Sequence, residues 1–358
     1  MLYLQEYRWQ RIEGRKDKMA EFRQWRETDR TYLKDVVPLD TPYNAALEIS
    51  SFCNLKCVYC AHSTDHGQYE GNMTDELLEK ILHDLAKFPK KIKKVNLFGF
   101  GESLCHPEFP EIVGKVNKAD IADAVEFTTN GVLLTKDRID RIMENGGVQT
   151  IRISLQGIEA QAYKEFGGKN VDFEQFLSNL KYMYEQRGNM KIRMKVADIA
   201  LKGVPDGEKR FKDIFGSMAD SVYIEHILPI YAGMDYDKID KDINKDVLDG
   251  RMHVHQEKIN KVCHRAFYRM RIRANGDVTA ACCDATQDVR YGNVWNDSLY
   301  NIWNGEAHKK FLKLQLEGRR FEHPYCKECM MPNDITTEAD LLDPWAGKIL
   351  ERMEGERS

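Results

Sequence analysis

Three cysteines, Cys53, Cys57 and Cys60, crowd the segment CNLKCVYC. An intrachain disulfide framework takes cysteines in pairs and a closed zinc site takes four ligands, so three thiols match neither count. Three thiolates on a metal leave one coordination position open. An open position is what a metal needs if it is to bind a substrate and change it. A second group stands far along the chain: Cys263, the neighbours Cys282 and Cys283, then Cys326 and Cys329 in CKEC. A C-x2-C pair with two distant cysteines is a familiar zinc pattern. Cys105, in SLCHPEF, brings the total to nine.

Something has to place these thiols. NAALEIS (44–50) is the first of six short apolar runs, followed by those at 94–100, 124–130, 150–156, 191–199 and 221–228. Helical patterns lie between them. In TDELLEKILHDLAKF, Thr74 is a plausible N-cap, and Leu77, Leu78, Ile81, Leu82 and Leu85 form one apolar face. Repeated strand–helix alternation implies parallel strands joined by crossover helices. A six-stranded partial barrel and an open doubly wound sheet both fit. The first cysteine group follows the first strand, and α/β folds place their active sites at such carboxyl ends.

The flanks have other textures. Residues 1–43 mix charges with Trp9, Phe22, Trp25 and Tyr32 and read as an N-terminal helical arm. Residues 44–230 form the strand–helix domain, and the acidic stretch 231–255 reads as a linker or mobile loop. Residues 256–335 read as a smaller α+β unit, with a hairpin turning at Asn275-Gly276 and a helix in SLYNIWNGEAHKKFLKLQLEG. Residues 336–358 read as a charged, peripheral tail.

Composition sets the outer bounds. At 358 residues and 42% hydrophobic, the chain can bury a large core. With 53 basic against 57 acidic residues its net charge is -4, which disfavours nucleic acid as a partner. No apolar run approaches the roughly 20 residues of a membrane span. The opening MLYLQEYRWQRIEGRKDK holds no apolar export core. Together these point to the reducing cytoplasm, where clustered cysteines are metal ligands more often than disulfides.

The spacing C-x3-C-x-aromatic-C at the end of the first strand resembles the signature of the radical S-adenosylmethionine (SAM) superfamily. The resemblance implies an α/β partial (β/α)6 TIM-like barrel followed by a small α+β auxiliary-cluster domain. It implies that Cys53, Cys57 and Cys60 bind a [4Fe–4S] cluster whose fourth iron takes SAM. An electron from a flavodoxin- or ferredoxin-type reductant then releases a 5′-deoxyadenosyl radical that abstracts a substrate hydrogen. GFGESLCHPEF resembles the family's Gly-x-Gly-Glu-Pro-Leu segment, with Ser103 where proline is usual. That likeness sets Gly101 and Glu102 against the SAM amino group. It further implies Asn130, Ser154 and Gln156 as SAM contacts at successive strand ends, Tyr59 near the adenine, and Lys195 facing the barrel interior.

The later cysteines, with NGDVTAACC and YGNVWNDSLYNIWN, resemble the auxiliary modules called SPASM and Twitch. Cys263, Cys282, Cys326 and Cys329 would then hold one auxiliary [4Fe–4S] cluster, as in the Twitch type. Zinc is the competing occupant. Cys283 and Cys105 remain spare and are the candidate hydrogen-atom donors should the reaction be an epimerisation. Such enzymes dehydrogenate or epimerise a sugar, aminocyclitol or similar polyol, and related ones are maturases of ribosomally made peptides. Residues 1–43 are too short for a winged-helix leader-binding domain, which favours the small molecule. A zinc-stabilised interaction protein and an iron–sulfur electron-transfer protein are the readings from other classes. Three thiols and ligand-like groups at strand ends count against both.

Overall fold

The computed structural model describes residues 20–22, 30–63, 71–231, 234–241, 243, 260–280, 289–327, 329–334 and 337–355. Its strands are β1 (Glu21–Phe22), β2 (Asn44–Leu47), β3 (Lys94–Leu97), β4 (Val125–Thr129), β5 (Thr150–Leu155), β6 (Lys191–Ala197), β7 (Ser221–Glu225), β8 (Arg269–Ile272), β9 (Asp277–Ala280) and β10 (Arg290–Asn293). All ten lie in one sheet, in the order β1-β7-β6-β5-β4-β3-β2-β8-β9-β10. From β2 to β7 the spatial order follows chain order, and every pairing is parallel. A doubly wound sheet reverses at a switch point, whereas a barrel always advances. The winding is therefore that of a partial TIM-like barrel.

Helices α1 (Leu33–Val36), α2 (Asp75–Leu85), α3 (Phe109–Ala119), α4 (Lys136–Glu144), α5 (Ala160–Gly167), α6 (Phe173–Gln186) and α7 (Gly207–Phe215) follow in sequence, with α2 to α7 supplying the crossovers. Thr74 caps α2 by accepting the Leu77 amide at 3.2 Å, and Leu77, Leu78, Ile81, Leu82 and Leu85 are all buried. They pack against the outer face of the strands, including Leu47, Leu97, Phe127, Ile153 and Met194. Strand side chains alternate between faces, so the inner face takes the remaining set. That set is mostly polar, with Asn96, Glu126, Arg152, Ser154, Arg193, Lys195, Tyr223 and Glu225 beside Ala46 and Phe98.

The smaller unit is less separate than its sequence implies. β8 pairs with β2 in parallel, Asn44 facing Arg269 and Leu47 facing Ile272, so the C-terminal module extends the barrel sheet. The hairpin turns where expected, with Gly276 at φ +87°, and β9 runs antiparallel to β8. The expected single helix is two, α9 (Leu299–Asn304) and α10 (Glu306–Leu316), divided at Gly305. In the acidic segment a short helix, α8 (Tyr236–Ile239), docks through buried Tyr236, whose hydroxyl accepts the amides of Ile230 and Tyr231 at 3.0 and 2.9 Å. Residues 232–233, 242 and 244–255 of that segment lie outside the described residues.

One terminal expectation is corrected. The described part of the N-terminal arm gives one turn of helix and the strand β1, which pairs with β7. The C-terminal tail is no peripheral appendage. Helix α11 (Ala346–Gly355) buries Ile349 and Met353 among Leu33, Val37, Val262, Phe267 and Leu312. Arg352 donates to the carbonyls of Val37 and Lys34 at 2.8 and 2.9 Å. Apolar residues four apart supply the stripe that the surrounding charges obscure. Ile349 is fully buried, so Ile349→Ala should cost about 2–5 kcal/mol in urea denaturation. A loss below about 0.5 kcal/mol would restore the peripheral reading.

Candidate functional site

The first cysteine loop is clamped at both ends. Ser50 bridges Asn72, the Ser51 hydroxyl accepts the Gly71 amide at 2.7 Å, and His62 Nε2 meets the Ser51 carbonyl at 2.7 Å. From outside, the end of α5 receives it: the amides of Lys56 and Val58 donate to the carbonyls of Gly167 and Phe166 at 2.8 and 3.0 Å. Gly168, at φ +68°, turns the chain away beside Lys56. Cys53, Cys57 and Cys60 are each half-buried. Burial pushes the Cys53 thiol up to about 12, with Glu102, Cys60 and Cys105 adding to the effect. Burial likewise raises Cys57, helped by Cys60 and Cys53, and raises Cys60. The three thiols therefore feel one another and want a positive centre.

Two glycines explain why the GFGE segment can approach. A Cβ on Gly101 would lie 2.3 Å from the Ser50 carbonyl and 2.6 Å from that of Phe52, so only glycine lets these chains touch. The Glu102 amide then donates to the Phe52 carbonyl at 2.7 Å. A Cβ on Gly99 would strike the side chain of Glu48 at 2.3 Å. Glu48 is fully buried, accepts the Phe100 amide at 3.0 Å and pairs with Arg273 at 3.4 Å. A lone acid in the apolar run AALEIS is the signal by which the sequence marks it.

Glu102 latches two strand ends together. Its carboxylate accepts from the Leu104 amide at 3.1 Å, the Thr129 hydroxyl at 2.7 Å and the Asn130 amide at 2.7 Å. Burial still holds its carboxyl above the usual range. A carboxylate has about four acceptor sites, so these three donors leave room for one more. The Asn130 side chain donates to Asn54 Oδ1 at 2.7 Å, which ties β4 to the cysteine loop. Asn54 Nδ2 is itself buried without a hydrogen-bond partner. Three unbridged thiols and an orphaned donor on one loop suit a thiolate-bound cluster carrying an organic ligand.

The other expected contacts fall into pairs. Tyr59 donates its hydroxyl to Gln156, whose amide donates to the Ser154 carbonyl at 2.8 Å. Lys195 lies on the inner face in an ion pair with Glu225. Burial pulls its ammonium down, but Glu225 and Tyr223 outweigh that and hold it above its usual range. Cys105 sits beside the loop. Burial and Glu102 raise its thiol against the pull of an Asn54 backbone hydrogen bond. Sequence reasoning missed Asn54, Glu48 and the rim pair formed by His226 Nδ1 and Asp198 Oδ2, 2.8 Å apart just beyond β7 and β6.

Around the second group, Cys263, Cys326, Cys329, Tyr325, Arg320 and Phe311 line one largely apolar pocket. Cys282 and Cys283 lie outside the described residues. Arg320, 1% exposed, donates to the carbonyls of Cys326 and Cys329 at 2.6 and 3.1 Å and to that of Asn260 at 3.0 Å. Nothing in GRRFEHPYC sets this arginine apart from its neighbour. The Cys263 amide donates to Gln315 Oε1 at 3.1 Å. None of the described cysteines forms a disulfide. Among the described residues no three His, Cys, Asp or Glu side chains gather around a single metal ion. A four-iron cluster takes each thiolate on a separate iron.

Comparison with known proteins adds two domains and several relatives. The Radical SAM superfamily profile matches residues 47–208, and the iron–sulfur cluster-binding domain SPASM matches residues 263–330. The tungsten-containing aldehyde ferredoxin oxidoreductase cofactor-modifying protein of Pyrococcus furiosus is 26% identical over 340 residues, 84% of this chain and 91% of its own length. Streptococcus suis SuiB bound to precursor peptide SuiA superposes with a TM-score of 0.59 at 16% identity, over 84% of this chain and 72% of SuiB. BtrN in complex with AdoMet and 2-DOIA gives a TM-score of 0.50 at 18% identity, over 80% of this chain and 92% of BtrN. At these identities the structural likeness is one of fold.

Two outcomes follow for metal content. Anaerobically reconstituted protein should carry about eight irons, and replacing Cys53, Cys57 and Cys60 with alanine should leave about four and abolish SAM cleavage. Iron analysis beside a 5′-deoxyadenosine assay checks both, and cleavage persisting in the triple variant would refute the ligand set. Arg320→Met should release the carbonyls of Cys326 and Cys329 and lower iron to about four while SAM cleavage survives. Undiminished iron in that variant would show that Arg320 is not what shapes the pocket.

Proposed function

We propose that this chain, which carries a radical SAM domain followed by a SPASM iron–sulfur domain, dehydrogenates a small, hydroxyl-rich substrate: a sugar, aminocyclitol or similar polyol. The two domains imply a [4Fe–4S] cluster, an auxiliary cluster and SAM. Bound together, those groups supply the electron that breaks a carbon–sulfur bond of SAM, the 5′-deoxyadenosyl radical that takes a substrate hydrogen, and an outlet for the electron released on oxidation. Cys53, Cys57 and Cys60 would hold the first cluster. Cys263, Cys326 and Cys329, with Cys282, would hold the second. Glu102 and Asn54 would meet the amino-acid end of SAM, and the Tyr59–Gln156 pair with Ser154 its nucleoside.

The observation that carries the substrate class is the inner face of the barrel. Beneath the strand ends it presents donors and acceptors already fixed in place. Arg152 and Lys94 grip Glu126 at 3.0 Å each, and Lys195 is paired with Glu225. Groups held this way bind hydroxyls without first being ordered, which favours a small polar substrate over an apolar one. The BtrN complex with 2-DOIA and the cofactor-modifying relative support a small molecule, while SuiA on SuiB supports a peptide.

Dehydrogenation also needs a base for the proton that leaves the substrate hydroxyl. His226 stands just beyond β7, at the active-site end of the strand, with Asp198 beyond β6. When Nδ1–H is donated to Asp198, the basic atom of the imidazole is Nε2. His226 would therefore take that proton.

Incubation with SAM and candidate polyols should give a product two hydrogens lighter, with no solvent deuterium on the oxidised carbon when it is made in heavy water. His226→Gln should keep SAM cleavage but slow product formation on the order of a hundredfold. Solvent deuterium at one carbon, lost in Cys105→Ala or Cys283→Ala, would instead establish epimerisation. A mass change confined to a peptide would establish a maturase.

A further inference from the structure

β8 and the residue after it read RMRIR, in which Arg269, Arg271 and Arg273 alternate with Met270 and Ile272. Met270 and Ile272 belong to the outer core, so all three arginines share the inner face. β2 lies between them and β3, and it has only Ala46 opposite Arg271. Over that small side chain the guanidinium groups reach the aromatic rings of β3's continuation. Arg269 lies 5.1 Å from the Phe98 ring, and Arg271 and Arg273 lie 4.7 and 5.3 Å from the Phe100 ring. The Phe100 ring also meets that of Tyr231, at 6.1 Å, on the segment that follows β7. The ladder thus stands where the two ends of the partial barrel approach each other.

Its charge is not balanced. Arg273 has Glu48. Arg271 is 8% exposed, its Nε is buried without a hydrogen-bond partner, and it faces a ring instead of a carboxylate. The Nε of Arg269 is buried in the same way. Burial, then Arg265 and Arg271, press Arg269 down to about 9, with Arg152 contributing from across the barrel. The nearby inner-face carboxylates Glu126 and Glu225 already have partners in Lys94, Arg152 and Lys195. Buried cations without counter-charges are costly, and cation–π contact offsets only part of that cost. An arginine fork with free donors is built to receive the two oxygens of a phosphate or carboxylate.

We infer that Arg271, with Arg269 beside it, binds an oxyanion on the substrate, so that the hydroxyl-rich molecule proposed above also carries a phosphate ester or a free carboxylate. The inference rests on the inner face being the substrate site. Anion binding is measured without turnover, so it can fail while the radical chemistry stands, and the reverse also holds.

Anaerobically reconstituted full-length protein is titrated with inorganic phosphate and with succinate by calorimetry, at ionic strength fixed with chloride. At least one anion should bind saturably, and the tighter one identifies the group. Arg271→Met should weaken that binding at least tenfold, while in chloride alone its melting temperature should equal or exceed that of the parent, because an unpaired buried charge has been removed. Arg271→Lys keeps the charge without the fork and should bind at an intermediate strength. The inference is overturned if neither anion binds, or if Arg271→Met or Arg271→Lys binds as tightly as the parent. A separate assay of SAM cleavage on the same samples reports whether the radical SAM reading holds.

Discussion

The carboxylate of Glu48 is the constraint on which the site depends. It stands one residue past β2, fully buried, between the Phe100 amide and the Arg273 guanidinium. Burying a carboxylate is costly unless a donor or an opposite charge meets it. Its two partners hold the end of β3 on one side and the end of β8 on the other. The first contact sets Gly101 and Glu102 against the cysteine loop. The second sets the C-terminal module against the barrel. One side chain thereby sets the spacing of the two halves of the chemistry, and Gly99 is small because Glu48 occupies the space a Cβ would need.

Above that junction the site is assembled from strand ends that hold one another. Glu102 joins β3 to β4, Asn130 joins β4 to the cysteine loop, and Tyr59 joins the loop to Gln156 after β5. The loop has few regular backbone hydrogen bonds of its own, and its shape is imposed by Gly71 and the end of α5. Such a frame is preorganised: its polar groups are oriented before any ligand arrives. Arg320 does the same work in the second pocket, where a single guanidinium fixes the two carbonyls of a C-x2-C turn.

The fold and the first site were legible because their signals are local. The alternation of strands and helices, the cap at Thr74, the turn at Asn275-Gly276 and the spacing of Cys53, Cys57 and Cys60 all lie within short windows. What escaped is long-range. The parallel pairing of β8 with β2 joins residues more than two hundred positions apart, and no periodicity encodes it. Likewise α11 looked peripheral because its apolar stripe is narrow, and only Leu33, Val37 and Val262 show what that stripe meets. Arg320 and His226 are single residues whose meaning comes from carbonyls and a carboxylate supplied by other segments.

The parallel seam between β2 and β8 has a consequence for anyone wishing to divide or recombine this chain. A cut in the acidic segment between barrel and module looks natural, yet it would strip β2 of its neighbour. The Asn44 and Glu48 amides, which donate to the Tyr268 and Ile272 carbonyls at 3.1 and 2.9 Å, would face water along an open edge. Open edges of regular strands recruit other strands, so an excised barrel would be prone to self-association. A chimera carrying a foreign module would escape that association only if its donor brought a matching strand. Interchangeable parts in this architecture are therefore bounded by sheet register, with the linker a poor guide to where one part ends.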